Sequence, residues 1–284
     1  MKYSHISVTP AGGLQDALTL LAGQGEGLRV ISGGTDVTVY LKDGNLKETS
    51  LLDVSGLKEL DYVRDGGKYV SIGARVTFSE LLNSRLVRKW APLLCEAGVE
   101  VGSLQIRNLA TLAGNICNAS PAADSLPPLY VHESSVVLAS LKGKRVLPLP
   151  RFVEGPRRTA RRPDELLTEI RVPKMAEGSS CFFKKLGLRS SQAISVVSVA
   201  AAWKGRSARI ALGAVAPTVV RARAAEAYIA RHGLSYRELD EVCLLVASAA
   251  TPITDLRGTK EYRSRAIRAL SYQGFYEQLE ARSS

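Results

Sequence analysis

The stretch Thr111-Leu-Ala-Gly-Asn-Ile-Cys-Asn-Ala-Ser-Pro-Ala-Ala-Asp124 gathers small residues, hydroxyls, side-chain amides and one carboxylate where a core strand would carry bulky apolar side chains. It reads as a binding segment. Far upstream, the run Val30-Ile-Ser-Gly-Gly-Thr-Asp36 leads two β-branched residues straight into a Gly-Gly pair flanked by hydroxyls. Two small-residue loops, each following an apolar run, point to one shared ligand.

Glycine serves access at such a loop. Without a Cβ the chain adopts positive φ and presents successive backbone N–H groups to an anion at close range. Ser32, Thr35 and Thr111 add hydroxyl donors, and Asn115 and Asn118 add amides. Asp124 is an acceptor suited to the hydroxyls of a ribose or ribityl chain. Together they describe a nucleotide-sized ligand with phosphate. Taken singly, Gly33-Gly34 reads equally well as an ordinary turn; the pair of loops carries the argument. Neither loop is the Gly-x-Gly-x-x-Gly of a dinucleotide fold, and neither is followed by the Gly-Lys-Ser/Thr of a P-loop. A different phosphate-binding architecture is required.

With 284 residues the chain has room for two domains. Its 45% hydrophobic and 23% charged content is that of an ordinary globular protein. No apolar stretch approaches the roughly 20 residues of a membrane span, so no membrane span is expected. Residues 1–10 lack the apolar core of a secretory signal, which makes cytoplasmic residence the expectation. Cys95, Cys117, Cys181 and Cys243 are widely spaced, without a Cys-x-x-Cys pair or a nearby histidine, so no metal site is expected in this chain. His5, His132 and His232 are isolated and read as structural or exposed, Trp90 and Trp203 as core or interface anchors, and Cys117 as a small buried filler.

The net charge of +11 raises a nucleic-acid or anionic-surface reading, which predicts binding that falls steeply with salt. Aromatic residues are only 6% of the chain and do not interleave with its densest basic run, Arg157-Arg158-Thr-Ala-Arg161-Arg162. No nucleic-acid recognition module is present, and no nucleic-acid partner is expected. A solvated loop or a docking surface for an acidic partner accounts for the run.

The periodicity predicts a helix over 11–23, strands at 28–32 and 50–54, and a boundary near Gly56. Strands at 61–64 and 69–72 follow, then a helix from Thr77 or Ser79 through Leu86 and another over 93–101. A helical stretch from Leu126 and strands at 135–140 and 164–173 come next. Beyond Ser179 the character changes to strands at 181–185, 194–204 and 208–216, then helices over 222–232, 235–250 and 260–279.

Over essentially its full length the chain resembles the FAD-binding medium subunit of the molybdenum hydroxylases, the family of xanthine dehydrogenase and carbon monoxide dehydrogenase. Ser32-Gly-Gly-Thr-Asp36 is similar to the family's first phosphate loop, and Thr111-Leu-Ala-Gly-Asn115 through Asp124 to its second. Residues 152–173, Lys184-Lys-Leu-Gly-Leu-Arg189, Asp255-Leu-Arg-Gly and Glu261-Tyr-Arg263 also resemble stretches of it. One departure is visible: Ala113 stands where the family often has glycine.

The resemblance implies an α+β fold with a PCMH-type FAD-binding domain at 1–176, in subdomains of about 1–56 and 57–176. A C-terminal domain at 177–284, with a three-stranded antiparallel sheet and a helical bundle, would follow. The cofactor implied is FAD. Its diphosphate would lie on the backbone of Val30, Ile31, Ser32, Gly33, Gly34, Thr35, Asp36 and Val37, and of Thr111, Leu112, Ala113, Gly114 and Asn115. Asp124 would hold ribityl or ribose hydroxyls, Leu167 would give an apolar contact, and Lys185 a positive charge near the flavin. No acid–base catalytic residue is implied.

The implied role is electron transfer from iron–sulfur clusters of a small partner subunit, supplied by a large molybdenum cofactor subunit, to NAD or another acceptor. A xanthine dehydrogenase-like oxidation of a purine or related N-heterocycle is the favoured reaction. The alternatives are a medium subunit for carbon monoxide, aldehyde or aromatic substrates, or a stand-alone flavin oxidoreductase.

Overall fold

A computed structural model describes residues 6–46 and 50–283, so His5 lies outside the described residues. Strands β1 (Ser7–Pro10), β2 (Leu28–Ile31) and β3 (Ser50–Asp53) form a small parallel sheet in the order β1-β3-β2. Parallel strands of one sheet need crossover connections. Helix α1 (Leu14–Gln24) supplies one, burying Ala17, Leu18 and Leu21 on the face expected from its spacing. After β2 the chain passes through 32–36 into helix α2 (Val37–Lys42). This run is rich in β-branched residues yet helical. The Gly34 carbonyl starts its first turn by accepting from both the N–H (2.9 Å) and the hydroxyl (2.7 Å) of Thr38.

The second sheet is wholly antiparallel, and helices are inserted between its strands. Strands β4 (Val63–Asp65) and β5 (Tyr69–Gly73) are followed by helices α3 (Phe78–Asn83), α4 (Arg85–Trp90), α5 (Pro92–Val99), α6 (Leu104–Arg107), α7 (Leu112–Asn118) and α8 (Leu126–Val131). The helix expected from Thr77 or Ser79 through Leu86 is instead two helices. Thr77 and Glu80 cap α3 reciprocally, while Ser84 turns extended and its hydroxyl accepts from the Val87 N–H to cap α4. A serine inside an apolar helical period can stop one helix and start the next.

Strand β6 (Ser135–Ser140) pairs with β7 (Gly143–Pro148), which the sequence did not announce because Lys144, Arg145 and Pro148 blur its alternation. Helix α9 (Leu149–Phe152), the short hairpin of β8 (Val153–Gly155) and β9 (Arg158–Thr159), and strand β10 (Leu166–Pro173) complete this part. The sheet order is β4-β5-β10-β6-β7.

The third sheet holds β11 (Ser180–Gly187), β12 (Ser195–Lys204) and β13 (Ser207–Gly213), with a two-residue fourth strand β14 (Val220–Arg221) added at the edge. Helices α10 (Arg223–His232), α11 (Leu239–Ser248) and α12 (Lys260–Ser283) cover one face. Strand alternation divides the side chains. Phe182, Val197, Val199, Ala201 and Trp203 pack with the helices, whereas Phe183 and Ala200 join the core of the preceding sheet. Trp203 is the anchor expected, edge-on to Phe275 at 5.2 Å. Trp90 is half-buried beneath the ammonium groups of Lys89 and Lys174.

The same alternation sorts the adjacent lysines. Lys184 shares a face with Phe182 and ion-pairs Glu277 of α12 at 2.6 Å. Lys185 shares a face with Phe183 and turns inward, toward the side of the preceding sheet.

Candidate functional site

The glycine loop meets the residues that lead into the second segment. A Cβ built on Gly33 would lie 1.8 Å from the Leu109 carbonyl oxygen and 2.5 Å from its carbon, so only glycine permits this approach of backbone to backbone. Gly34 has φ +69°, the left-handed conformation that favours glycine. Among the described residues, the N–H groups of Gly33, Gly34 and Thr35 donate to no carbonyl of the chain. The loop is thus a short row of uncommitted donors, held beside the entry to α7.

The second segment is a capped helix start rather than the loop its composition suggested. Thr111 is extended, its hydroxyl accepts from the Gly114 N–H at 3.0 Å, and its carbonyl accepts from the Asn115 N–H at 3.0 Å. Ala113 sits within the first turn of α7 and is absent from the positive-φ residues, so its methyl costs no backbone strain. The Asn115 side chain is occupied structurally, its Oδ1 accepting from the Ser125 hydroxyl at 2.5 Å. Asn118 likewise accepts from the Tyr40 hydroxyl at 2.6 Å, tying α7 to α2.

Asp124 and Lys185 form an ion pair at 2.6 Å, with side chains only 9% and 5% exposed. The carboxylate's other oxygen accepts from the Ser195 hydroxyl at 2.5 Å, and Lys185 also donates to the Glu100 carbonyl at 3.1 Å. Burial pushes the Asp124 carboxyl above its usual range, and the Lys185 charge and the Ser195 hydroxyl pull it back. Lys185, but not Asp124, lines a cleft of about 400 Å³ whose walls are Glu100 and residues 185–193. Segment 100–109 runs from this pair to the Gly33 contact, because Glu100 receives Lys185 at one end and Leu109 abuts Gly33 at the other. One stretch of chain therefore connects the charged pair with the contact beside the glycine loop.

Residues 4–175 match the FAD binding domain in molybdopterin dehydrogenase, and residues 182–278 the CO dehydrogenase flavoprotein C-terminal domain. The chain belongs to the FAD-binding medium subunits of the molybdenum hydroxylases. It is 30% identical over 280 residues to the putative xanthine dehydrogenase FAD-binding subunit of Escherichia coli K12, covering 95% of this chain and 94% of that one. It is 31% identical over 277 residues to the glyceraldehyde dehydrogenase medium chain of Sulfolobus acidocaldarius, covering 96% and 98%. Among solved structures, carbon monoxide dehydrogenase of Hydrogenophaga pseudoflava superposes with TM-score 0.91 at 27% identity, covering 98% of each chain.

For a medium subunit of this family, the donor set fits FAD: backbone N–H groups uncommitted among the described residues in a glycine loop, and a buried carboxylate–ammonium pair at the other end of segment 100–109. Leu167 is 2% exposed, at a bulge of β10 opposite Leu138. Cys117 is half-buried against the core rather than fully buried, and desolvation raises its thiol to about 11. The four cysteines are free. Among the described residues, no helix is long and apolar enough to cross a membrane.

In the basic run Arg157, Arg158 and Arg162 are exposed and Arg161 is half-buried. Arg157 lies over the Tyr40 ring at 4.9 Å, and Arg161 donates to the carbonyls of Arg162, Pro163 and Glu165. Ser195 and Tyr40 are the site-supporting residues that sequence reasoning missed. Their partners lie 71 and 78 positions away, and no local pattern marks such contacts.

Proposed function

We propose that FAD lies along segment 100–109, between Gly33 and Lys185, in a medium subunit divided into a FAD domain at 1–176 and a C-terminal domain at 177–284. The backbone of 30–37 and 111–115 would hold the diphosphate, through N–H donors and, at 111–115, the opening turn of α7. Asp124 would accept from ribityl or ribose hydroxyls, Leu167 would give apolar contact, and Lys185 would place positive charge beside the flavin. FAD, when bound, supplies exchange of both single electrons and electron pairs. The chain's own residues bind it, orient it and set the charge around it. No side chain here is assigned an acid–base role.

The reading places this chain with a small iron–sulfur subunit and a large molybdenum cofactor subunit, with NAD as the favoured acceptor. A purine or related N-heterocycle is the favoured substrate, supported by the likeness to a xanthine dehydrogenase subunit. The equal likeness to a glyceraldehyde dehydrogenase chain gives an aldehyde as the alternative. The observation that carries the cofactor assignment is the contact of Gly33 with Leu109, which sets the glycine loop against the residues leading into the Thr111 segment.

Purification under native conditions tests it. A flavin absorption spectrum, with iron, molybdenum and two further polypeptides in stoichiometric amount, is expected. Colourless protein would refute the cofactor assignment, and a flavin-containing enzyme active without partners would favour a stand-alone oxidoreductase.

A further inference from the structure

We propose that Ser195 is a positioning residue for the flavin, aimed at the Asp124–Lys185 pair by a β-bulge that a buried arginine holds in place. The proposal rests on the placement of FAD beside Lys185. In the pairing of β11 with β12, Leu186 faces Val197 but Gly187 faces Ser195, which leaves Val196 as an extra residue. Regular alternation would put Ser195 on the helix-covered face with Val197, Val199 and Ala201. The extra residue reverses its direction, as bulges beside functional sites do. Ser195 is consequently 1% exposed on the opposite face, donating to Asp124.

The bulge is built, not incidental. Arg263 of α12, 1% exposed, donates to the carbonyl of the bulged Val196 at 2.9 Å and to that of Ala214 at 3.0 Å. Asp255 fixes this guanidinium at 2.5 Å and is itself held by Arg257, which also reaches the Ser195 carbonyl at 3.5 Å. The chain of contacts therefore runs from α12 through the bulge to Ser195, Asp124 and Lys185.

Its effect is on where charge sits. An ionised carboxylate accepts at two oxygens, and an ammonium has three protons. Ser195 occupies Oδ1, so that Asp124 draws on Lys185 through Oδ2 alone. Lys185 gives one further proton to Glu100 and keeps its third for the cleft. Without the hydroxyl, the unmet oxygen competes for that third proton, and the positive charge is drawn from the cleft toward the carboxylate. Less positive charge beside the flavin disfavours the negative charge gained on reduction.

The test is the FAD midpoint potential of the purified, FAD-loaded chain, in wild type, Ser195→Ala, Ser195→Thr and Lys185→Gln, alongside FAD Kd. Ser195→Ala is expected to lower the potential, Ser195→Thr to restore it toward wild type, and Lys185→Gln to lower it further. Lys185→Gln shifted with Ser195→Ala unmoved or raised overturns the role of Ser195 alone, as does Ser195→Thr shifted as far as Ser195→Ala. Lys185→Gln unmoved in both potential and Kd overturns the placement of FAD beside Lys185, and the proposal with it.

Discussion

Gly33→Ala should abolish tight FAD binding while leaving the protein folded. The new methyl carbon would lie 1.8 Å from the Leu109 carbonyl oxygen, and both atoms are fixed to backbone. Close carbon–oxygen contacts in proteins stand at about 3.3 Å, so the two segments must separate by about 1.5 Å. Hydrogen bonds of about 2.9 Å do not survive that displacement. If the separation removes two bonds from backbone N–H to the diphosphate, each about 1.5–3 kcal/mol, affinity falls by about 3–6 kcal/mol, or two to four orders of magnitude in Kd. Titrating deflavinated protein with FAD and following flavin fluorescence measures the change, with far-ultraviolet circular dichroism as the folding control. A folded Gly33→Ala protein with Kd within about threefold of wild type would refute the claim that this contact forms the cofactor cradle.

Gly34→Val forces a β-branched residue into the left-handed region at φ +69°, and should empty the protein of flavin while the tryptophan-containing C-terminal core around Trp203 keeps its cooperative unfolding. Arg263→Leu leaves the Val196 and Ala214 carbonyls buried without their donor; chemical denaturation should show a loss of about 3 kcal/mol or more, and an unchanged midpoint would dismiss its bracing role. His132 is buried, with Nδ1 on the Pro173 carbonyl at 2.9 Å and Nε2 without a partner among the described residues, and burial lowers its pKa from 6.5 to about 4. The unfolded chain therefore takes up a proton before the folded one does: the contribution of neutral His132 is full above pH 6.5 and is lost as pH falls through about 4, a change of about 3 kcal/mol. His132→Asn should narrow the difference in unfolding free energy between pH 7 and pH 4 by that amount, and an unaltered pH dependence would count against the assignment.

The parts of the site legible in the sequence are those whose chemistry is local. Gly33-Gly34 after β-branched residues, and the run of small polar residues from Thr111, announce backbone that approaches something closely, and no distant partner is needed to see it. The alternation of Phe182, Phe183, Lys184 and Lys185 also determines that the two lysines diverge, although which one turns inward depends on the helices that cover one face. Helix period predicted α1 and the C-terminal helices, because burial on one side of each leaves a regular apolar stripe. Ser84 was opaque, since a serine hydroxyl at a helix end and one in mid-helix look alike until the backbone turns. Strand β7 was opaque because its charged side chains lie along an exposed edge.

Ser195 shows a different limit. Its direction is set by one extra residue in a strand, and an insertion of one reverses which face every preceding side chain joins. Nothing in Ala193-Ile-Ser-Val-Val197 reveals the reversal, and the residue that stabilises it, Arg263, lies 67 positions beyond Val196. The proposed site is accordingly shared among the three larger sheets. The first supplies the glycine loop, the helices inserted into the second supply Thr111 to Asp124, and the third supplies Lys185 and Ser195. Each contributes only part of the surface a flavin dinucleotide needs, so cofactor binding should cross-link the sheets thermodynamically: ligand that binds only the assembled form stabilises it by mass action. FAD should then raise the unfolding temperature of the Trp203 core along with that of the glycine loops, although the cofactor lies outside that core. Calorimetry that found the C-terminal transition indifferent to FAD would mean that Lys185 and Ser195 do not share the ligand that Gly33 holds.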